Sequence, residues 1–233
     1  MKVARTCPFF QEQIEEQDFF IFLGPSGTGK TEVSLNLAVY LHDLGFRVRI
    51  VDLDLTKTDF TIRSDRVVLP FPIEKPIDHL RFSPNPTISK DLVDILSDPN
   101  ADKTVIDLSG GELGVKIFCS LKNLWQDRKT HLSLVVNFAR PFFEEEVAYS
   151  QFISQINSWL PSPLDSIVAN SHLMQYTDWN MLWESWLKVK AVSTQTDIPV
   201  FFLSVWEKVI ASNFNLENFD TTVVKIKRFI ELP

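Results

Sequence analysis

Eight consecutive residues, Gly24-Pro25-Ser26-Gly27-Thr28-Gly29-Lys30-Thr31, follow the spacing G-x-x-x-x-G-K-[ST]. That spacing suits the holding of phosphate. Glycines let successive backbone N–H groups curl around an anion, and a helix starting at the end of the loop turns its positive end toward the same charge. Lys30 adds a full positive charge for β- and γ-oxygens, and Thr31 offers a hydroxyl to Mg²⁺. Gly24, Pro25, Ser26, Gly27, Thr28, Gly29, Lys30 and Thr31, with Glu32 after them, are therefore the candidate nucleotide-binding residues. Glycine is scarce here. The 233-residue chain has seven, and six of them fall in two short segments, 24–29 and 110–114. Glycine is needed where a backbone takes positive φ or approaches a ligand closely, so both segments are expected to be functional loops.

Carboxylates stand where a second set of ligands is needed. Val51-Asp52-Leu53-Asp54 ends an apolar run, and Thr104-Val105-Ile106-Asp107-Leu108 has the Walker B form of apolar residues closing on an acid. In an open parallel sheet, ligands gather at the carboxyl ends of strands. Asp52 and Asp54 there can orient a water or hold one bound to metal, and Asp107 would lie beside Mg²⁺ with Thr31 and Asp54. Asp107 opens a D-x-x-G loop in which Gly110 could turn its N–H to the γ-phosphate. Lys30, Asp52, Asp54 and Gly110 are thus the candidate catalytic groups. Glu112 reads as an acid stabilising a helix N-terminus.

Such loops need strands before them and helices after. Asp18–Leu23 is a short apolar run ending at glycine, which reads as a buried parallel strand, and Thr31–Leu44 has helical periodicity closed by Gly45. Further strands are expected at 48–53, 78–82, 104–108, 132–138, 166–169 and 200–203. Helices are expected at 89–96, 113–125, 143–160, 178–194 and, closing the chain, 217–232. This alternation predicts an α/β fold: three αβα layers around a mostly parallel central sheet, the P-loop NTPase arrangement. One domain over 18–233 follows a leader at 1–17 carrying a small helix near 11–17, and the proline-rich stretch 56–86 is an excursion within the domain. Trp179, Trp183 and Trp186 share one helix face and read as core.

Composition narrows the functional classes. With 45% hydrophobic and 23% charged residues and a net charge of −7, the chain reads as globular, and its acidity argues against a general nucleic-acid binder. No apolar run reaches the ~18 residues of a membrane span. Cys7 and Cys119 read as reduced thiols of a cytoplasmic protein, and His42, His79, His131 and His172 lack metal-ligand spacing. The segment 221–232 is too short and too unevenly charged for a membrane-binding helix, so packing on the domain is expected.

Taken together, the GPSGTGKT loop, the helix TEVSLNLAVYL, VDLD, the D-x-x-G loop and IVANSHL resemble the SIMIBI class of P-loop ATPases, the group of MinD, ParA, nitrogenase iron protein and CobQ/CobB-type domains. The resemblance runs from about Phe19 to Val209. It is nearest to bacterial MinD-like ATPases with VVN-x-x-RPF and N-[ST]-[HN]-L, here Val135–Phe142 and Asn170–Leu173. It implies that Asn170 meets the adenine base, that Asp54 lies in the first switch, and that ATP supports a face-to-face homodimer and a contact with a protein partner. No N-K-x-D pattern for guanine is present, which favours ATP over GTP.

One departure stands out. Many relatives carry K-G-G in this loop, the first lysine reaching the partner's nucleotide; the matching residue here is Pro25. Arg140 is a candidate replacement cation, with a surface ion pair as its plainer role. The expected function is a Mg-ATP-dependent switch with slow hydrolysis by water. Two alternatives stand beside it: a small-molecule kinase or ATP-dependent ligase resembling dethiobiotin synthetase, with the 56–86 excursion as its pocket, and an ATP-binding scaffold without turnover.

Overall fold

Phe19 to Leu23 are five apolar residues in a row, and all five are buried. Phe19, Ile21 and Leu23 join one apolar cluster, while Phe20 and Phe22 join another. A strand whose alternate residues both find core must have helices on its two faces. The sequence encodes this layering directly.

The computed structural model describes residues 2–54, 69–71, 73–74, 77–78, 87–88, 91–125, 127–173, 176–207 and 216–229. The chain begins with β1 (Lys2–Arg5), α1 (Pro8–Glu16), β2 (Phe19–Leu23), α2 (Lys30–Asp43) and β3 (Val48–Leu53). Short strands β4 (Ile73–Glu74), β5 (Ile77–Asp78) and β6 (Thr87–Ile88) lead to α3 (Asp91–Ser97) and β7 (Lys103–Leu108). Then come α4 (Gly111–Ser120), α5 (Lys122–Trp125), β8 (Thr130–Val136), α6 (Glu146–Asn157) and β9 (Ser166–Ala169). The chain closes through α7 (Trp179–Thr196), β10 (Val200–Trp206), a 3-10 turn at Leu216–Asn218 and β11 (Val223–Ile226).

Among the described residues, nine strands make the main sheet in the order β1-β11-β10-β9-β8-β2-β7-β3-β4. Eight run parallel, and β1 pairs antiparallel with β11 at one edge. Helices α1 and α2 cover one face with Phe10, Ile14, Val33, Leu37 and Leu41. Helices α3 to α7 cover the other, with Tyr149, Ile153, Leu182 and Trp186 among their buried residues. This is the expected three-layer α/β fold with a mostly parallel sheet.

Two expectations change. Residues 2–16, read as a leader, form β1 and α1 and pack on the domain: His131 shares hydrogen bonds with Gln13 Oε1 (3.0 Å) and Ser166 Oγ (2.8 Å). The closing helix expected at 217–232 is instead the 3-10 turn followed by β11, with residues from 230 onward outside the described residues. Val223, Val224 and Ile226 are all buried. Their β-branched side chains favour a strand covered on both faces over a helix with one apolar stripe. The strand expected at 78–82 has its start in β5, and residues 79–82 lie outside the described residues, as does most of the 56–86 excursion. Trp179, Trp183 and Trp186 all meet Phe219, with ring centroids 5.5 to 5.7 Å away, so the tryptophan stripe is core packing.

Candidate functional site

The phosphate loop leaves β2 at Gly24 and enters α2 at Lys30. Gly29 has φ +88° and Gly27 φ +79°, the left-handed region where a side chain is strained. Thr28 Oγ1 donates to Pro25 O (3.1 Å). Lys30 is 4% exposed, and its Nζ donates to Gly24 O (3.2 Å) and Pro25 O (3.1 Å). The curled loop thus wraps its own lysine, holding the ammonium where phosphate oxygens could replace the two carbonyls.

Strand register brings the acids to this loop. Phe20, Ile50 and Val105 lie on the α2 face of the sheet. Two residues further along, on the same face, β3 and β7 pair Asp52 with Asp107. Both carboxylates therefore rise beside the N-terminus of α2. Thr31 Oγ1 donates to Asp107 Oδ2 at 2.6 Å, closing a contact between residues 76 apart in sequence. Asp54 N donates to Asp52 Oδ1 (2.9 Å), so Asp52 shapes the exit from β3 and leaves Asp54 buried just beyond it. The stretch that follows, 55–60, expected from the resemblance to continue the first switch, lies outside the described residues.

A hydroxyl and a carboxylate in contact are hard oxygen donors suited to Mg²⁺, which takes one or two protein oxygens and completes its shell with phosphate and water. Among the described residues no three His, Cys, Asp or Glu side chains group as a metal site. A nucleotide-borne Mg²⁺ requires no such group.

The second glycine loop abuts the first. Gly111 N donates to Gly24 O (3.1 Å), and Ser109 Oγ donates to Leu53 O (3.3 Å). A Cβ at Gly110 would lie 2.9 Å from Ser26 N, although Gly110 has an ordinary φ of −72°. Close approach, and not an unusual turn, is what requires glycine there. Glu112 stands in the first turn of α4 and pairs with Lys116 on the exposed face, the helix-end role read for it.

Asn170 is completely buried under the loop. Its Nδ2 donates to Thr28 O (2.6 Å), and its Oδ1 accepts from Ser204 Oγ. In this geometry the amide braces the phosphate loop. Glu32, grouped with the loop in sequence, has its carboxylate on Phe229 N (3.0 Å). Ser204, Ser171 and Tyr149 were not singled out from sequence. Ser204 orients Asn170; Ser171 Oγ accepts from Phe138 N (2.9 Å); Tyr149 OH accepts from Asn137 N (2.7 Å) and donates to Asn137 O (3.1 Å). Ser204 and Tyr149 are lone hydroxyls inside an apolar strand and helix, which carry no spacing signal, whereas Ser171 falls in the Asn170–Leu173 stretch without that motif stating what it does. Burial pushes the Tyr149 hydroxyl well above its usual range, so it stays protonated and able to donate. These bonds fix the segment after β8, on which Arg140 sits with its guanidinium against Gly27 of the phosphate loop.

A strand-loop-helix phosphate cradle, a Walker B strand beside it and an αβα sheet define a P-loop nucleotide-binding protein. The model for the CobQ/CobB/MinD/ParA nucleotide binding domain matches residues 19–229. The chain belongs to that family. Among solved structures it is similar to FtsY from Mycoplasma mycoides, with a TM-score of 0.59 and 17% identity over 86% of this chain and 68% of that one. It is also similar to FlhF complexed with GTP/Mg²⁺ (TM-score 0.52, 14% identity, 84% and 68% covered). The signal recognition particle receptor FtsY from Elizabethkingia anophelis has a TM-score of 0.55 and 16% identity, with 86% and 64% covered. At these identities the likeness concerns the fold. No curated protein matches the sequence. Among the described residues, no helix is long and apolar enough to cross a membrane.

Proposed function

We propose that the chain is a cytoplasmic Mg-ATP-dependent switch that hydrolyses its nucleotide slowly by direct attack of water on the γ-phosphate. The observation that carries this reading is the Thr31–Asp107 contact at the mouth of the phosphate loop, with Lys30 held alongside. Thr31 and Asp107, supported by Asp54, would hold Mg²⁺, which supplies charge neutralisation at the β- and γ-phosphates. Lys30 exchanges the Gly24 and Pro25 carbonyls for phosphate oxygens. Asp54 orients the attacking water, and Gly110 N–H faces the γ-phosphate. Because Gly111 N already bonds Gly24 O, a shift of the 109–111 loop on γ-phosphate loss would be felt at both loops. The choice of ATP follows the family and the missing N-K-x-D pattern. Asn170 would then act mainly by shaping the loop, with base contact requiring release of Thr28 O.

The test is binding and turnover together. The wild-type chain should bind Mg-ATP more tightly than Mg-GTP and release phosphate slowly without an added acceptor. Solution mass should rise toward a dimer with Mg-ATP and not with Mg-ADP. Phosphate transfer to an added metabolite with little release to water would favour the kinase reading. Binding without either would favour the scaffold reading, and Lys30→Ala binding as well as wild type would sink all three.

A further inference from the structure

We infer that Arg140 is the second cation of the phosphate site, a same-chain ligand of the nucleotide's polyphosphate; this rests on the nucleotide-binding reading above. Arg140 lies on the turn that follows β8, where its N–H donates to Asn137 O (3.2 Å) and its carbonyl accepts from Phe143 N (3.1 Å). Asn137 is itself clamped by the buried Tyr149 hydroxyl, so the turn stands on a fixed base. From there the arginine reaches the crown of the phosphate loop. A Cβ placed on Gly27 would lie 2.5 Å from Arg140 Cζ and 2.8 Å from its Nε. Glycine at 27 therefore does two things: it permits a φ of +79°, and it leaves room for the guanidinium.

Charge makes this placement informative. The guanidinium sits near the N-terminal end of α2, where the helix dipole is positive and Lys30 is already buried. A second cation there gains when an anion joins it, although solvent screens the repulsion in its absence. Arg140 is exposed to solvent, and among the described residues no ion pair and no side-chain hydrogen bond holds its guanidinium. Its plainer role, a surface ion pair, has no partner among the described residues. A polyphosphate laid in the loop supplies the missing negative charge, and a guanidinium fork suits paired phosphate oxygens. The loop itself explains why a second cation has to come from elsewhere in the fold. Lys30 is the one basic residue of the loop, residues 24–31.

The test measures Mg-ATP affinity for wild type, Arg140→Ala and Arg140→Lys at low and high salt, with melting temperatures of the ligand-free proteins. Arg140→Ala should lose ten- to hundredfold in affinity, with a smaller deficit at high salt and an unchanged melting temperature. Arg140→Lys should recover part of the loss. Mixing Arg140→Ala with Lys30→Ala chains should recover none, since each site draws on its own arginine. Unchanged affinity in Arg140→Ala overturns the inference while leaving nucleotide binding intact. So does recovery on mixing, or a loss that tracks a lowered melting temperature and is not relieved by Arg140→Lys. A folded wild-type chain that binds no nucleotide overturns both this inference and the reading beneath it.

Discussion

Asn36 and Lys227 are joined by a two-way bridge: the Asn36 amide nitrogen donates to Lys227 O at 2.8 Å, and Lys227 N donates back to Asn36 Oδ1 at 2.8 Å. The side chain imitates a strand's backbone. With Glu32 Oε2 on Phe229 N, it ties the helix behind the phosphate loop to the segment leaving the last strand. The loop's helix is thereby anchored at a second place, independent of the sheet beneath it.

Asn36→Ala should therefore cost about 1–3 kcal/mol, from two backbone groups left without partners and one lost amide. Equilibrium urea denaturation reads this as a lower midpoint with an unchanged slope. A shift below about 0.5 kcal/mol would mean that water satisfies Lys227 as well as the side chain does.

Thr31→Ala and Asp107→Asn remove opposite halves of one contact. Each should reduce nucleotide affinity in Mg²⁺ by roughly ten- to a hundredfold and leave affinity in EDTA nearly unchanged, because the oxygens serve the cation and not the phosphate directly. Equal losses with and without Mg²⁺ would place both residues in loop folding instead.

Acid should begin to destabilise the fold in the range where a free imidazole gains its proton. Burial holds His131 down to about 3 and His172 down to about 4, against an ordinary value near 6.5. Below 6.5 the unfolded chain takes up protons that the folded chain refuses, so stability falls as pH drops from about 6.5 toward 4. Denaturation midpoints at pH 7.5, 6 and 5 should decline steadily. A flat profile across that range would show that the folded state accommodates the charged rings.

Phe142 has φ +70° and is 89% exposed, a strained conformation with little packing to recompense it. Phe142→Gly should stabilise the fold by about 1 kcal/mol, seen as a raised melting temperature. Destabilisation would reveal packing that the strain serves.

Legibility in the sequence followed physical locality. The phosphate loop was plain because its chemistry lies in eight adjacent residues, and β2 because apolar residues in an unbroken run need cover on both faces. The nearness of Asp107 to Thr31 could be expected from strand alternation. β11 was misread because Val223, Val224, Ile226 and Ile230 fit a helical face as well as a strand, and only the neighbouring β10 decides between them. Ser204 under Asn170 was invisible for a related reason. A single hydroxyl in a strand becomes meaningful only when a strand far earlier in the chain lies beside it.

The edge pairing of β1 with β11 also bears on how the chain is made. Lys2 aligns with Lys225, so the partner of β1 is synthesised roughly 220 residues after it. Helix α1 must wait similarly, since Phe10 packs on Phe201 and Phe202 of β10. At ribosomal rates of about 5–20 residues per second, these first segments spend roughly ten to forty seconds without their strand partners. Phe10, buried in the finished fold, lacks those two ring partners over that interval and has Tyr40 of α2 as an earlier one. Contacts that join residues so far apart along the chain make folding slower than local contacts of the same number would.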